Sequence, residues 1–144
     1  MSNTNKARTA LADAFFMYQK AHSYHWNVEG MFFPQLHDFF GNLYTEIFNS
    51  IDPFAEHIRA TGQYAPRNLE DMYDDKSVDS KNSAITAKDM VDDLSKTNDQ
   101  VINSLNILFD ELESNNDQGF MDFVASRISE HKKHGWMLRS ILKE

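Results

Sequence analysis

The sequence contains no cysteine, so disulfides and thiolate metal ligands are excluded, and any bound metal must rest on histidine, carboxylate or water. It also lacks an apolar run approaching the roughly 20 residues of a membrane-spanning helix. The N-terminal MSNTNKARTALADAFF shows no secretory pattern of a charged start followed by an apolar stretch. A cytoplasmic protein with no membrane partner is expected. Positive charge is scarce as well: 14 Lys and Arg stand against 22 Asp and Glu, a net charge of -8. That balance opposes nonspecific phosphate binding unless a local basic arm overrides it. The candidate N-terminal arm holds only Lys6 and Arg8.

The 144 residues, 41% hydrophobic and 25% charged, suit a single folded domain spanning 1–144. Apolar positions recur at helical spacing along most of it. A first helix is read from Thr4 through Ala7, Leu11, Ala14, Phe15 and Tyr18 to about Asn27, its stripe continuing through His22 and His25. Gly30 then supplies a turn, and Pro34 suits the first turn of a second, antiparallel helix. That helix carries Leu36, Phe40, Leu43, Ile47, Ile51, Phe54 and Ile58 and stops around Gly62. Pro53, inside it, is expected to kink or loosen it. The polar, acidic stretch from Ala65 to Ser83 reads as a long crossover with a short helix at Leu69 to Tyr73. Thr86 caps a third long helix, running to about Ser114 with Met90, Leu94, Val101, Leu105, Leu108 and Leu112 inward. Asp117 caps the fourth, whose stripe is Phe120, Phe123, Val124, Ile128, Trp136, Leu138 and Leu142. The predicted fold is all-α: a ferritin-like four-helix bundle with a long connection between its second and third helices.

The most informative stretch is HSYHWNVEGMFFPQLHDFFGNLYTEIFNSIDPFAE, from His22 to Glu56. Asp52 and Glu56, four residues apart, share one helix face and can converge on a cation. Read singly they are most simply two solvated acids. Asp52, however, lies among Ile51, Phe54, Phe48 and Tyr44, where a partly buried acid needs a partner. His25 and His37 are each explained separately as packing histidines. Together, the end of one helix beside the start of the next, they can approach one ion, and imidazole with carboxylate suits iron, zinc or manganese. The spacing then forces a conclusion. His37 and Asp52 are 52 − 37 = 15 residues apart on one helix, which separates their Cα atoms by roughly 22 Å. One ion served by all four residues must therefore take its histidines from one chain and its carboxylates from another, so a homo-oligomer built on a two-fold dimer is expected. No glutamate has a histidine three positions later, which excludes the Glu-x-x-His di-iron site of the bundle interior. Glu130 and His134 read as a helix-surface pair.

These residues carry a resemblance. HWNVEGMFFPQLH followed by IDPFAE resembles the signature of the Dps-like mini-ferritins, and the terminal HGWMLRSIL is similar to the end of that family's last helix. The resemblance implies a dodecameric hollow shell that takes up Fe(II), oxidises it at inter-subunit ferroxidase centres with hydrogen peroxide in preference to dioxygen, stores the ferric mineral and protects DNA. It makes His25 and His37 the imidazole ligands of one subunit and Asp52 and Glu56 the carboxylates of its partner, with Glu56 bridging. Trp26 matches an aromatic near the iron, or is simply a packing tryptophan; His22 lies close to the ligands or at the interface. Asp117 and Asp122 fall where the family has acidic iron-entry pores, although Asp117 is equally a helix cap.

The departures are as specific. Gly41 stands where many relatives have an acidic residue that helps hold a second iron, which implies a weaker second site. Glu29, Met31 and His57 replace a basic residue, a proline and an arginine. The family's lysine-rich DNA-binding extension is missing. Lys132, Lys133, Arg139 and Lys143 do make the last helix basic, but cations at a helix end are expected on dipole grounds alone, so DNA binding is expected to be weak or absent. The alternative from another class is a non-catalytic shell or DNA-compacting protein whose histidine and carboxylate cluster is structural, or binds the competitors zinc or manganese.

Overall fold

Local signals start and stop the helices where the sequence places them. In the computed structural model, which describes residues 5–143, the elements are α1 (Lys6–Asn27), α2 (Phe33–Ala60), α3 (Leu69–Asp75), α4 (Ala87–Ser114) and α5 (Gln118–Leu142), and no strand occurs among the described residues. The side chains of Asn5, Asn68, Thr86 and Asp117 each accept a hydrogen bond from the backbone N–H three residues on, satisfying one of the orphan donors of a helix start. Asn5 caps α1, so its start falls just after Thr4, which lies outside the described residues. The second helix has no side-chain cap and uses Pro34 in its first turn instead, where the missing N–H costs nothing. Gly30 and Gly62 follow α1 and α2 with φ of 115° and 95°, a backbone region that side chains with a Cβ avoid. Pro53 removes the N–H that would bond the Asn49 carbonyl, yet α2 continues through it to Ala60.

The first helix packs against α2 and α4, and α4 against α5. The apolar stripes meet in one core, with Phe40, Ile47, Leu94, Val101, Leu105 and Leu108 all essentially inaccessible. Each such side chain contributes about 1.5–3 kcal/mol relative to exposure. Trp136 does not follow its predicted stripe: it is 58% exposed, while its neighbours His134 and Gly135 turn inward.

The crossover is fastened to α1 by three charged side chains spaced along that helix. Arg8 donates from Nε to Asp75 at the end of α3, 2.7 Å away, so this cation of the supposed basic arm is built into α1 and already paired. Asp13, fully buried, accepts from the backbone N–H groups of Ser77 and Val78 and from the hydroxyls of Ser77 and Ser104. Lys20, also fully buried, donates to the Lys81 carbonyl and to Asp93. Tyr24 donates to the same Asp93 carboxylate, and burial together with that neighbour pushes its phenol pKa up. Buried charges of this kind persist only when paired, and here the pairing is between distant segments.

Candidate metal centre

The short turn after α1 returns the chain so that the last turn of α1 faces the first turns of α2, and two imidazoles meet there. His25 and His37 stack with ring centroids 3.8 Å apart and planes 16° from parallel. Each Nδ1 lies 2.7 Å from the other residue's backbone carbonyl. A carbonyl can only accept, so both Nδ1 atoms carry the hydrogen, which leaves Nε2 of each ring as the lone-pair nitrogen in the neutral form. This is the orientation in which a histidine is fixed through one nitrogen and binds metal through the other.

Aromatic side chains surround the pair. His22, one turn before His25, stacks on Tyr44 at 3.9 Å and 11° and lies 4.1 Å from the ring of Trp26. Burial, and then the proximity of His25, lowers the His22 pKa below its ordinary value. Phe33 stacks on the outer face of His37 at 5.1 Å. Trp26 is 63% exposed, which sets it at the rim rather than in the core. Gly41 lies directly beneath His25: a Cβ there would stand 3.1 Å from Nδ1 and Cε1 of the ring. The His25 ring thus packs against the Gly41 backbone so closely that any side chain there would press on it.

Asp52 and Glu56 do not join this pair within the chain. Both are exposed on the far part of α2, and the helix runs unbroken between His37 and Asp52, so the roughly 22 Å separation stands. The expectation that Asp52 is partly buried is corrected: the Ile51 and Phe54 beside it in sequence turn towards the bundle while Asp52 turns away. His57, next to Glu56, stacks on Phe120 at 5.0 Å and 12° and so serves as packing between α2 and α5.

A second histidine and carboxylate cluster lies between α2, α4 and α5, and the sequence reading missed it. Glu46, Glu130 and His134 each offer a ligand atom within 4.8 Å of the others. Far from forming a surface pair with Glu130, His134 is buried and its Nε2 bonds Glu46 at 2.7 Å. Arg127 grips both oxygens of the same Glu46, so a guanidinium already supplies the cation that this carboxylate needs. Burial opposes the Glu46 charge, but the hydrogen bonds from Arg127 and His134 outweigh it and hold the carboxyl well below its usual range. His131, fully buried, has Nδ1 against Asn98 Oδ1 at 2.8 Å, and Asn98 Nδ2 donates to the His131 carbonyl. Burial and the Arg127 charge keep this imidazole neutral, its pKa well below the ordinary value. The sequence signal was the run of Arg127, His131 and His134 along one face of α5, against the lone Asn98 inside the apolar stripe of α4.

At the start of α5, Asp117 caps the helix through Phe120 N at 3.3 Å, and Asp122 is exposed one turn on. Among the described residues no helix is long and apolar enough to cross a membrane.

Residues 5–144 match the ferritin family's ferritin-like domain. The chain is similar to DNA protection during starvation protein 2 of Bacillus anthracis, 30% identical over 134 residues, with 93% of this chain and 92% of the relative covered. It is 28% identical to the DNA protection during starvation protein of Brevibacillus brevis, covering 92% and 89% of the two chains. Its fold superposes on the crystal structure of Dps from Staphylococcus aureus with a TM-score of 0.91 at 26% identity, over 98% and 95% of the two chains. Five helices in this order, a pinned crossover between the second and fourth, and these relatives across nearly the whole length lead to one assignment: the chain belongs to the ferritin-like family and, within it, to the Dps proteins.

Proposed function

We propose that this protein stores and detoxifies iron: Fe(II) is bound as substrate between two subunits, oxidised, and kept as ferric mineral inside a closed homo-oligomeric shell, a dodecamer, which protects DNA from oxidative damage. The observation that carries the reading is the His25 and His37 pair, whose Nδ1 hydrogens are both committed to backbone carbonyls and whose Nε2 atoms are left as ligands. In this reading Asp52 and Glu56 of the partner subunit complete the site, since no other placement brings them within reach of the same ion. Their exposure on each chain is what a face awaiting a partner requires.

The chain's own part in the chemistry is positional. Imidazole and carboxylate together hold Fe(II), and the carboxylates offset the charge gained on oxidation. The oxidant, hydrogen peroxide in preference to dioxygen, takes electrons from iron held away from other reductants. The exposed Asp122, with Asp117 at the helix start behind it, supplies the negative charge that draws Fe(II) inward. Zinc and manganese, which accept the same donors, act as competitors.

Anaerobic loading of the assembled protein with Fe(II), followed by hydrogen peroxide, tests this. Ferric absorbance should rise well above a protein-free control and remain soluble. A trace matching the control sinks the ferroxidase reading and leaves the non-catalytic shell.

A further inference from the structure

Among the described residues, one group gathers three metal-ligating atoms from a single chain: Glu46, Glu130 and His134, whose ligand atoms all lie within 4.8 Å of one another. The His25 and His37 pair needs a second subunit to gain its carboxylates; this cluster needs none. Glu130 and His134 stand four apart on α5, so their side chains leave one helix face together, and Glu46 meets them from α2. The arrangement is not the Glu-x-x-His site of a bundle interior, because the spacing is four rather than three and both glutamates are only half-buried.

The charges of the cluster do not close. Arg127 holds both oxygens of Glu46, and His134 directs Nε2 at the same carboxylate. Glu130, in reach of both, has no hydrogen bond or ion pair of its own among the described residues. One guanidinium offsets one of two carboxylates, and the charge left over lies half-buried, where it needs a partner. Arg127 meanwhile fixes the orientation of Glu46, the part that hydrogen-bonded neighbours play for metal ligands.

The donor set selects the ion. Calcium takes six or more oxygens and magnesium a near-octahedral oxygen shell, whereas one imidazole with two carboxylates suits zinc and its first-row neighbours. Around a tetrahedral zinc ion, bonds of about 2.0–2.2 Å place neighbouring donors roughly 3.4 Å apart. The 2.7 Å between His134 Nε2 and Glu46 then opens by less than an ångström. The hydrogen on Nε2 gives way, and Nδ1, which has no hydrogen-bond partner among the described residues, can carry it.

We propose that Glu46, Glu130 and His134 form a second divalent-cation site, of the zinc class, complete within each chain and separate from the His25 and His37 half-site, and that the bound ion clamps α2 to α5. A fourth position is left to water. Elsewhere the two helices meet through Phe54 and His57 against Phe120 and Phe123, and the ion would join them about two turns earlier on α2.

The test oxidises no iron, so it stands apart from the ferroxidase reading. Zinc is titrated by calorimetry into the assembled His37→Ala variant, in which the half-site has lost a ligand, and thermal unfolding is followed with and without zinc. His37→Ala should still bind one zinc ion per chain and melt higher with it, since an ion that binds only the folded chain stabilises it. Adding Glu130→Gln should weaken that binding at least about tenfold and abolish the zinc-dependent rise in melting temperature. Without zinc this variant should melt no lower than its parent, because Glu130 has no partner to lose; that separates a ligand from a merely structural acid. Glu29→Gln, an exposed acid elsewhere, should leave zinc binding unchanged. If His37→Ala binds no zinc, or binds it as tightly after Glu130→Gln, the site is overturned, and a wild type that oxidises Fe(II) keeps the proposed function.

Discussion

His25 and His37 fix each other: each imidazole donates its Nδ1 hydrogen to the other's backbone carbonyl at 2.7 Å, with the two rings face to face. The pair is thus a unit that joins the end of α1 to the start of α2, and its geometry depends on the empty space over Gly41. Gly41→Ala would place a methyl 3.1 Å from the His25 ring, so the ring must shift by a few tenths of an ångström. Helix propensity favours alanine by about 1 kcal/mol, and the net stability change should stay within about that amount. Fe(II) affinity should nevertheless fall about tenfold, the scale set when a ligand's orientation is disturbed. Urea unfolding and anaerobic Fe(II) titration check the two halves separately.

The split of the proposed ligands along α2 has its own test. His37→Ala and Asp52→Ala should each reduce peroxide-driven iron oxidation by at least about tenfold. When the two variants are dissociated and reassembled together, mixed dimers regain one intact site. A substantial share of the lost rate should then return. No recovery, with subunit exchange shown by mass measurement, would count against a site shared between chains.

Asp13 holds the crossover from the inside. Asp13→Ala strips two backbone N–H groups and two hydroxyls of their acceptor, and buried donors left unsatisfied cost about 1–3 kcal/mol each where water cannot replace the partner. A loss of about 3–5 kcal/mol is expected, as for breaking a buried charged network. The urea midpoint should drop accordingly. Hydrogen exchange should speed up first in residues 69–83, since these lose their tie to α1.

Acid should weaken the fold through Glu46 and His131. The folded pKa of Glu46 is depressed from its ordinary 4.5, so its contribution is complete above that pH and is lost as pH falls below it. His131 stays neutral in the fold while the unfolded chain takes up a proton below its ordinary 6.5, so stability also declines below that value. The urea midpoint should be level above pH ~7, fall below about 6.5 and fall more steeply below about 4.5. Glu46→Gln should start lower and lose much of the steeper limb.

The long helices were legible in the sequence because each buries one face, and a face repeats. Every member of the stripe from Leu36 to Ile58 is buried or half-buried. The caps Thr86 and Asp117 were legible for the same local reason, a side chain answering a backbone N–H three residues away, whereas Asn5 and Asn68 went unread. The buried polar residues were hidden. Asp13 finds its partners 64 to 91 residues away and Lys20 finds Asp93 across 73. No local pattern marks a charge whose partner is that distant. His134 misled for a related reason: its four-residue spacing from Glu130 suggested a surface pair, while the partner that orients it, Glu46, lies on another helix. At the candidate centre, the two histidines and their separation from the carboxylates were legible from spacing. Their reciprocal hydrogen bonds were not, because those depend on how a turn of a few residues closes.

The roughly 22 Å of continuous helix between His37 and Asp52 makes the proposed chemistry a property of the quaternary structure. A newly made chain carries both halves of the centre but cannot bring them together, so it is inert towards iron until a second copy docks. In the proposed reading, oxidation is then tied to the first step of assembly, the docking of two copies.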